Sequence, residues 1–405
     1  MRSMKTSSRK IHWFNPGHEN AVLTDNPYYT PPASVCKMMS DLALLPVWYG
    51  EENDYVIINE ANGASRFLLS IPPEIRPTVI PVISSELNIS APLEAAPWGL
   101  SPQSIRFFET LRMQNENIIV PPWNEKYKEL TGRQTALVCL SKMHDFLPDI
   151  FKSLTLPLFC TTTEEIREFF AQFPPPYMLK TPYSCSGRGL HRIQTCDLDM
   201  QSVRWITGAL RKQGAISIER ALDKVCDFAM EFESDGTGNI RFKGLAFFNT
   251  LQKGAYYGNM LGSQDRIEKH LTEYIPVKYL REIQEAVTSI LAEKFSSVYR
   301  GYLGVDMLVY RNGNTFSIHP FIEINLRNTM GLVALQLNKR LIYNSSWGNL
   351  IIVGNKGENK IYSTHLQMKE KYPLQLSGSK IQSGYLSLCP VTPETQYVAY
   401  IIINN

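Results

Sequence analysis

Gly304-Val305-Asp306, followed by Phe321-Ile322-Glu323-Ile324-Asn325-Leu326-Arg327, decides how this chain is read. Both stretches are apolar runs interrupted by single oxygen-bearing side chains, a composition that reads as strand. Strand side chains alternate faces with a period of two, so Glu323 and Asn325 share one face while Ile322 and Ile324 point into a core. Asp306 sits between Val305 and Met307 in the same way. Two acids and an amide on one side of a sheet suit a hard cation such as Mg²⁺, which takes oxygen ligands and keeps phosphates and waters as the rest of its shell. The same pattern also describes a polar sheet face with unrelated charges, and it is the rest of the chain that separates the two.

Upstream, Tyr177-Met178-Leu179-Lys180 reads as a strand, Thr181-Pro182-Tyr183-Ser184-Cys185-Ser186-Gly187-Arg188-Gly189 as a small-residue loop, and Leu190-His191-Arg192-Ile193 as a second strand. Gly187 and Gly189 permit positive φ and close backbone approach, and successive N–H groups in such a turn form an anion nest. Lys180, at the strand end, supplies a positive point charge for phosphate. The loop is not a Walker loop, because no G-x-x-x-x-G-K-[ST] occurs, and no G-x-G-x-x-G opens a helix. Ser- and Gly-rich surface hairpins share this composition, so the order along the chain adds the specificity. Lys142 opens a helical pattern, Lys180 follows 38 residues later, Ile216-Ser217-Ile218-Glu219 is an apolar strand ending in an acid, and Asp306, Glu323 and Asn325 come last.

This ordered set resembles the ATP-grasp superfamily over roughly residues 130–340. The resemblance implies two α+β lobes clasping ATP, with two lysines on the nucleotide, a flap over the phosphates, a hinge against the adenine, and acids with an Asn holding Mg²⁺ (Mn²⁺ as an alternative). On that basis Lys142 and Lys180 look like the nucleotide-binding lysines. Ser184, Ser186, Gly187 and Gly189 look like the flap, and Glu219, Arg220 and Ala221 like the hinge. Asp227 falls near the ribose acid. Asp306, Glu323 and Asn325 match the metal ligands, and Arg327 matches an Arg that neutralises charge at the reacting group. The flap departs from many members in its fewer glycines and in Cys185, and the ribose position has Asp in place of the usual Glu. The implied activity is that of an ATP-dependent carboxylate–amine ligase working through an acyl phosphate, with small-molecule carboxylate and amine substrates. A kinase acting on a hydroxyl, or a nucleotide-binding protein without turnover, would use the same site.

Composition narrows the class. The 405 residues exceed one ordinary core, so two or three domains are expected. An apolar content of 44% with 20% charged residues describes a globular chain. A net charge of +3 gives no reason to expect nucleic acid or a membrane surface as partner. No apolar run approaches the ~20 residues that span a bilayer, and the basic start from Met1 to Lys10 is followed by no apolar run, so no secretory signal is expected. The 7 cysteines are scattered with no C-x-x-C pair, which fits reduced thiols in a cytoplasm.

The expected organisation is α/β and α+β, multidomain. Residues 1–130 form a small Rossmann-like α/β domain, 131–343 the ATP-grasp domain with its flap lobe near 177–220, and 344–405 a β-rich extension, with a homodimer left open. In the first region, Ile11-His12-Trp13-Phe14 reads as a strand, and Asn15-Pro16-Gly17-His18-Glu19-Asn20 after it is a substrate-loop candidate or a plain turn. In the second, Ala136–Leu140 is an apolar run, after which Ser141 is placed as the cap of a helix reaching Ile150. Thr162 and Glu165 form a capping box for the next helix, and Leu280, Ile283, Val287, Ile290 and Leu291 give an amphipathic one.

Overall fold

Strands build the sheets of this computed structural model, which describes residues 9–151, 154–184, 187, 189–251 and 254–405. In chain order they are β1 (Lys10–Trp13), β2 (Tyr55–Ile58), β3 (Ile80–Ile83), β4 (Leu93–Pro97), β5 (Ile118–Ile119), β6 (Leu158–Cys160), β7 (Tyr177–Lys180), β8 (Leu190–Ile193) and β9 (Ile216–Arg220). Then come β10 (Asp223–Asp235), β11 (Ile240–Thr250), β12 (Tyr256–Leu261), β13 (Arg300–Asn312), β14 (Thr315–Asn325), β15 (Trp347–Gly354), β16 (Gln375–Ser377), β17 (Lys380–Ser387) and β18 (Tyr397–Asn404). The chain folds into two compact units, one of Met1–Trp123, Gly258–Ser263 and Leu332–Asn405, the other of Asn124–Tyr257 and Gln264–Gly331. The sequence reading expects three consecutive segments, whereas residues 344–405 belong to the same unit as 1–123.

The first unit opens with a parallel sheet in the order β3-β2-β1-β4-β5. Its strands are short apolar runs, as a parallel sheet covered on both faces requires. Ile11, Ile57, Leu93 and Ala95 pack with Phe108 and Leu111 of the helix Pro102–Arg112, whose start is fixed by a Ser101–Ser104 capping box. The strand order reverses at β1 and β4, where the loop after β1 is clamped. Asn15 donates to the Gly99 carbonyl at 2.8 Å and accepts from the Gly99 N–H at 3.1 Å. His18 lies on Gly99, where an added Cβ would come within 2.2 Å of the ring. Of the stretch considered for substrate, Asn15 is held in this way and His18-Glu19-Asn20 opens the helix His18–Thr24. The remaining strands of this unit pair antiparallel, β12 from Gly258 with β15, then β18, β17 and β16. The β-rich character expected of residues 344–405 is present as β15, β16, β17 and β18.

The second unit has two antiparallel sheets. The smaller has the order β6-β9-β7-β8. The helices Thr163–Gln172 and Met200–Gln213 close its apolar face, burying Ile166, Phe169 and Ile206 with Tyr177, Leu179, Ile216 and Ile218. The Thr162–Glu165 capping box is present, and Gly214 ends the second helix in the left-handed region at φ 76°. The larger sheet has β14, β13, β10 and β11 side by side. Its apolar face (Phe228, Met230, Phe232, Val305, Met307, Ile324) is buried, and the helices Arg133–Phe146 and Val277–Phe295 pack against these strands. One expectation is corrected here. The first of those helices begins at Arg133 and runs through Ser141, so Ser141 caps nothing. Ala136, Cys139, Leu140 and Met143 are buried at helical spacing, and the apolar run before Ser141 is already helix. Among the described residues no helix is long and apolar enough to cross a membrane.

Candidate active site

The polar face of the larger sheet is built in rows across its strands. β13 and β14 pair Asp306 with Glu323 and Gly304 with Asn325. β10 adds Ala229 opposite Asp306, Glu231 opposite Gly304, and Asp227 opposite Leu308. Directly paired residues project to the same side, so Asp227, Glu231, Asp306, Glu323 and Asn325 share one face. Gly304 has no side chain, and that vacancy admits the Glu231 carboxylate, which an added Cβ would meet at 3.0 Å. Gly331 is under the same constraint, with a Cβ there falling 2.0 Å from Glu231 Oε1.

Electrostatics follows from this crowding. Burial and the neighbouring Glu323 push the Asp306 carboxyl up to about 7, against the opposing pull of a hydrogen bond from Asn325 and the charge of Arg327. Glu231 is raised to about 8 by burial and by Asp306, although Thr329 Oγ1 donates to its Oε2 at 2.8 Å. Arg327 donates to Asn325 Oδ1 at 2.7 Å and to the Asn328 carbonyl at 3.2 Å. Acids crowded together in this way are what a divalent cation relieves. Among the described residues no three His, Cys, Asp or Glu side chains gather as a metal-ligand group. The donor set is two carboxylates and an amide, which fits Mg²⁺ with its remaining positions left to water and phosphate.

The basic side chains come from two places. Lys180 ends β7, and its ammonium is ion-paired with Glu219 of β9. The register sets Lys180 opposite Ser217, so Glu219 is its diagonal neighbour on the same face. Burial pushes the Glu219 carboxyl up, but Lys180, His319 and Arg133 outweigh it, and the group titrates below its ordinary value. His319, on β14, has Nε2 4.0 Å from Glu219 Oε2, and burial pushes its pKa down to about 4. The second cation is Arg133. Its Nη2 donates to Glu323 Oε2 at 3.0 Å and to Ser184 Oγ at 3.1 Å, and its Nη1 to the Ile322 carbonyl at 3.2 Å.

Lys142 is placed elsewhere. It is ion-paired with Glu293 on the helix Val277–Phe295 and, among the described residues, makes no ion pair with Asp306 or Glu323. Arg133 and Lys142 are nine residues apart on one helix. Nine steps of about 100° end half a turn away, so the two project from opposite faces, and Arg133 is the one that reaches the acids.

In the loop expected to be the flap, Ser184 is buried and meets Arg133. Gly187 has φ 73°, and a Cβ there would lie 2.6 Å from the Gly254 backbone. Gly189 has the same need for bare space, since a Cβ would lie 2.2 Å from Thr181 Oγ1. Ser186 lies outside the described residues. In the segment expected to be the hinge, Glu219 is paired with Lys180, Arg220 is exposed, and the Ala221 N–H donates to the Pro176 carbonyl at 2.8 Å. Asp227 accepts from Lys224 at 2.5 Å and from Thr250 at 2.8 Å.

Three residues here, Arg133, Glu231 and His319, are absent from the sequence reading. Glu231 had a signal, because Asp227 and Glu231 are four apart in a strand and therefore cofacial. Arg133 and His319 had none, since each depends on contacts spanning 100 residues or more (Arg133 with Glu323, His319 with Glu219).

No family model matches the chain, and no curated protein matches it in sequence. Solved structures do match in fold. The biotin carboxylase domain dimer of 2-oxoglutarate carboxylase from Hydrogenobacter thermophilus, in complex with MgADP, ADP and bicarbonate, has a TM-score of 0.52 at 12% identity, covering 98% of this chain and 86% of that one. Biotin carboxylase from Campylobacter jejuni, as a β,γ-ATP complex, has a TM-score of 0.51 at 12% identity, covering 98% and 87%. An ADP complex of N5-carboxyaminoimidazole ribonucleotide synthetase has a TM-score of 0.50 at 11% identity, covering 98% and 93%. At such identities the likeness is one of fold, and the fold of this chain is the ATP-grasp fold, with a Rossmann-like parallel sheet at its N-terminal end.

Proposed function

We propose that this chain is an ATP-dependent ligase that joins a small-molecule carboxylate to an amine, forming ADP and phosphate through an acyl-phosphate intermediate. The observation that carries this reading is Arg133, whose one guanidinium touches both Glu323 of the acidic face and Ser184 of the flap. A cation between a phosphate-type loop and a pair of carboxylates is what a metal–triphosphate complex needs. Asp306, Glu323 and Asn325 would hold Mg²⁺, which when bound offsets the charge of the phosphates. Arg133 and Lys180 bind and orient the phosphate chain, since phosphoryl transfer asks of a protein chiefly positioning and charge neutralisation. The flap excludes water from an intermediate that water would destroy. Arg327, locked on Asn325 and the Asn328 carbonyl, presents its charge at the edge of the same face. No side-chain nucleophile is required, because the substrate carboxylate attacks the terminal phosphorus.

The test is an ADP-release screen of amino acids and small carboxylic acids, each with and without amines, in the presence of Mg²⁺. ADP formation that needs a carboxylate, with trapping of the acyl phosphate by hydroxylamine, is the expected result. Glu323→Ala should abolish it, by about two orders of magnitude or more, with the circular dichroism of the fold kept. ADP formation that depends on an alcohol instead, or tight nucleotide binding with no turnover across the screen, would overturn the ligase reading.

A further inference from the structure

Two cations and two acids of the second unit are paired with each other. Arg133 pairs with Glu323 at 3.0 Å, their side chains 7% and 25% exposed, and Lys180 pairs with Glu219 at 8% and 11%. Neither arrangement is saturated. Arg133 Nε is buried and, among the described residues, has no hydrogen-bond partner. His319 Nε2 is buried, has none among the described residues either, and stands 4.0 Å from Glu219 Oε2. His319 Nδ1 accepts from the Phe321 N–H at 3.4 Å, which assigns the ring proton to Nε2, on the side of Glu219.

We propose that these two ion pairs stand in for the ligands and exchange partners on binding, so that metal and nucleotide each require the other. Phosphate takes Arg133 as the metal takes Glu323. As Lys180 turns to phosphate, Glu219 accepts the Nε2–H of His319. The inference rests on the nucleotide reading given above and adds to it a thermodynamic coupling.

The physical reason is what each ligand strands when it comes alone. Nucleotide without metal breaks the Arg133–Glu323 pair and leaves Glu323 against phosphate with no cation. Metal without nucleotide takes Glu323 and leaves Arg133 buried and unpaired. Removing one partner of a buried pair is costly because the other charge stays behind. Together the two ligands strand neither, and a coupling of this kind is reciprocal. His319 removes the equivalent penalty at Glu219, where no metal is available.

The probe is ADP, titrated calorimetrically into the full chain in EDTA and again in MgCl₂. Glu323→Gln keeps a hydrogen-bond acceptor for Arg133 and removes the charge. It should bind metal-free ADP more tightly than the wild type, on the order of tenfold, and the gain from Mg²⁺ should shrink by a similar factor. Asp306→Asn, on the same face but not paired with Arg133, should leave metal-free affinity within about twofold. An equal rise in both variants would mean simple repulsion and overturn the exchange, as would an unchanged Glu323→Gln. Should Glu323→Gln not fold, Arg133→Gln reads the same coupling from the other side. Its melting temperature should rise more than that of the wild type when MgCl₂ is added without ADP, and an equal rise overturns the proposal. For the second pair, His319→Leu should weaken MgADP several-fold and His319→Gln restore it; equal loss in both removes His319 from the scheme. A wild-type chain that binds no ADP with or without Mg²⁺ sinks the nucleotide reading itself, whereas ADP binding with no coupling sinks only the exchange.

Discussion

Two buried glutamates of the second unit differ in one respect, and the difference organises the site. Glu219, in the smaller sheet, is 8% exposed and Glu231, in the larger sheet, 2%. Burial raises the pKa of both, yet Glu219 ends below its ordinary value and Glu231 near 8. Glu219 faces Lys180; Glu231 faces Asp306 and a threonine hydroxyl. Burial sets the cost of a charge, and the neighbour decides whether the charge is kept. One sheet holds its charge balanced, while the other holds an excess of acid that a cation would complete.

The strongest way to break this comparison is to remove the counter-ion. Lys180→Ala leaves Glu219 buried and unpaired, with an expected loss of about 3–5 kcal/mol of stability, read by urea unfolding, together with loss of ADP formation. A loss well under 1 kcal/mol would mean that Glu219 reaches solvent. The next test uses pH. Between 4.5 and about 8 the folded chain holds a proton on Glu231 that the unfolded chain has released. The native state therefore binds more protons in that window, and this contribution falls as pH rises through it. Glu219 acts with the opposite sign, its contribution present at neutral pH and lost as pH falls below its ordinary range. Glu231→Gln should gain stability relative to the wild type as pH rises from 5 to 9, in melting curves at several pH values. A difference that stays flat would show that Glu231 titrates normally.

Smaller effects sharpen the same contrast. Thr329→Val removes the hydroxyl that serves Glu231 and should cost about 1 kcal/mol, in the same unfolding assay. Lys142→Ala should cost less than about 0.5 kcal/mol, because its pair with Glu293 is 32% and 64% exposed on its two sides and screened by water. Its affinity for MgADP should match the wild type. A large fall in affinity would return Lys142 to the site and question the place given to Arg133.

The alternation around Asp306, Glu323 and Asn325 was legible because a strand imposes a period of two whatever surrounds it. The capping box at Thr162 was legible for the same reason, being local in geometry. The helix that begins at Arg133 was misread because its buried apolar residues include the consecutive pair Cys139 and Leu140 within a run that also suits a strand. That misreading hid Arg133. Once the helix is started at residue 133, the half-turn separating it from Lys142 follows from helical geometry alone.

By itself, then, the sequence determined the local elements, the cofacial set of oxygen donors and the strand-ending Lys180, since periodicity and backbone preference act over a few residues. Tertiary structure alone decided which cation meets which acid. Arg133 with Glu323, Lys180 with Glu219, and Glu231 in the space left by Gly304 and Gly331 are contacts between elements distant in the chain. Charge pairing depends on separations of a few ångströms, which no spacing along a sequence of this length encodes.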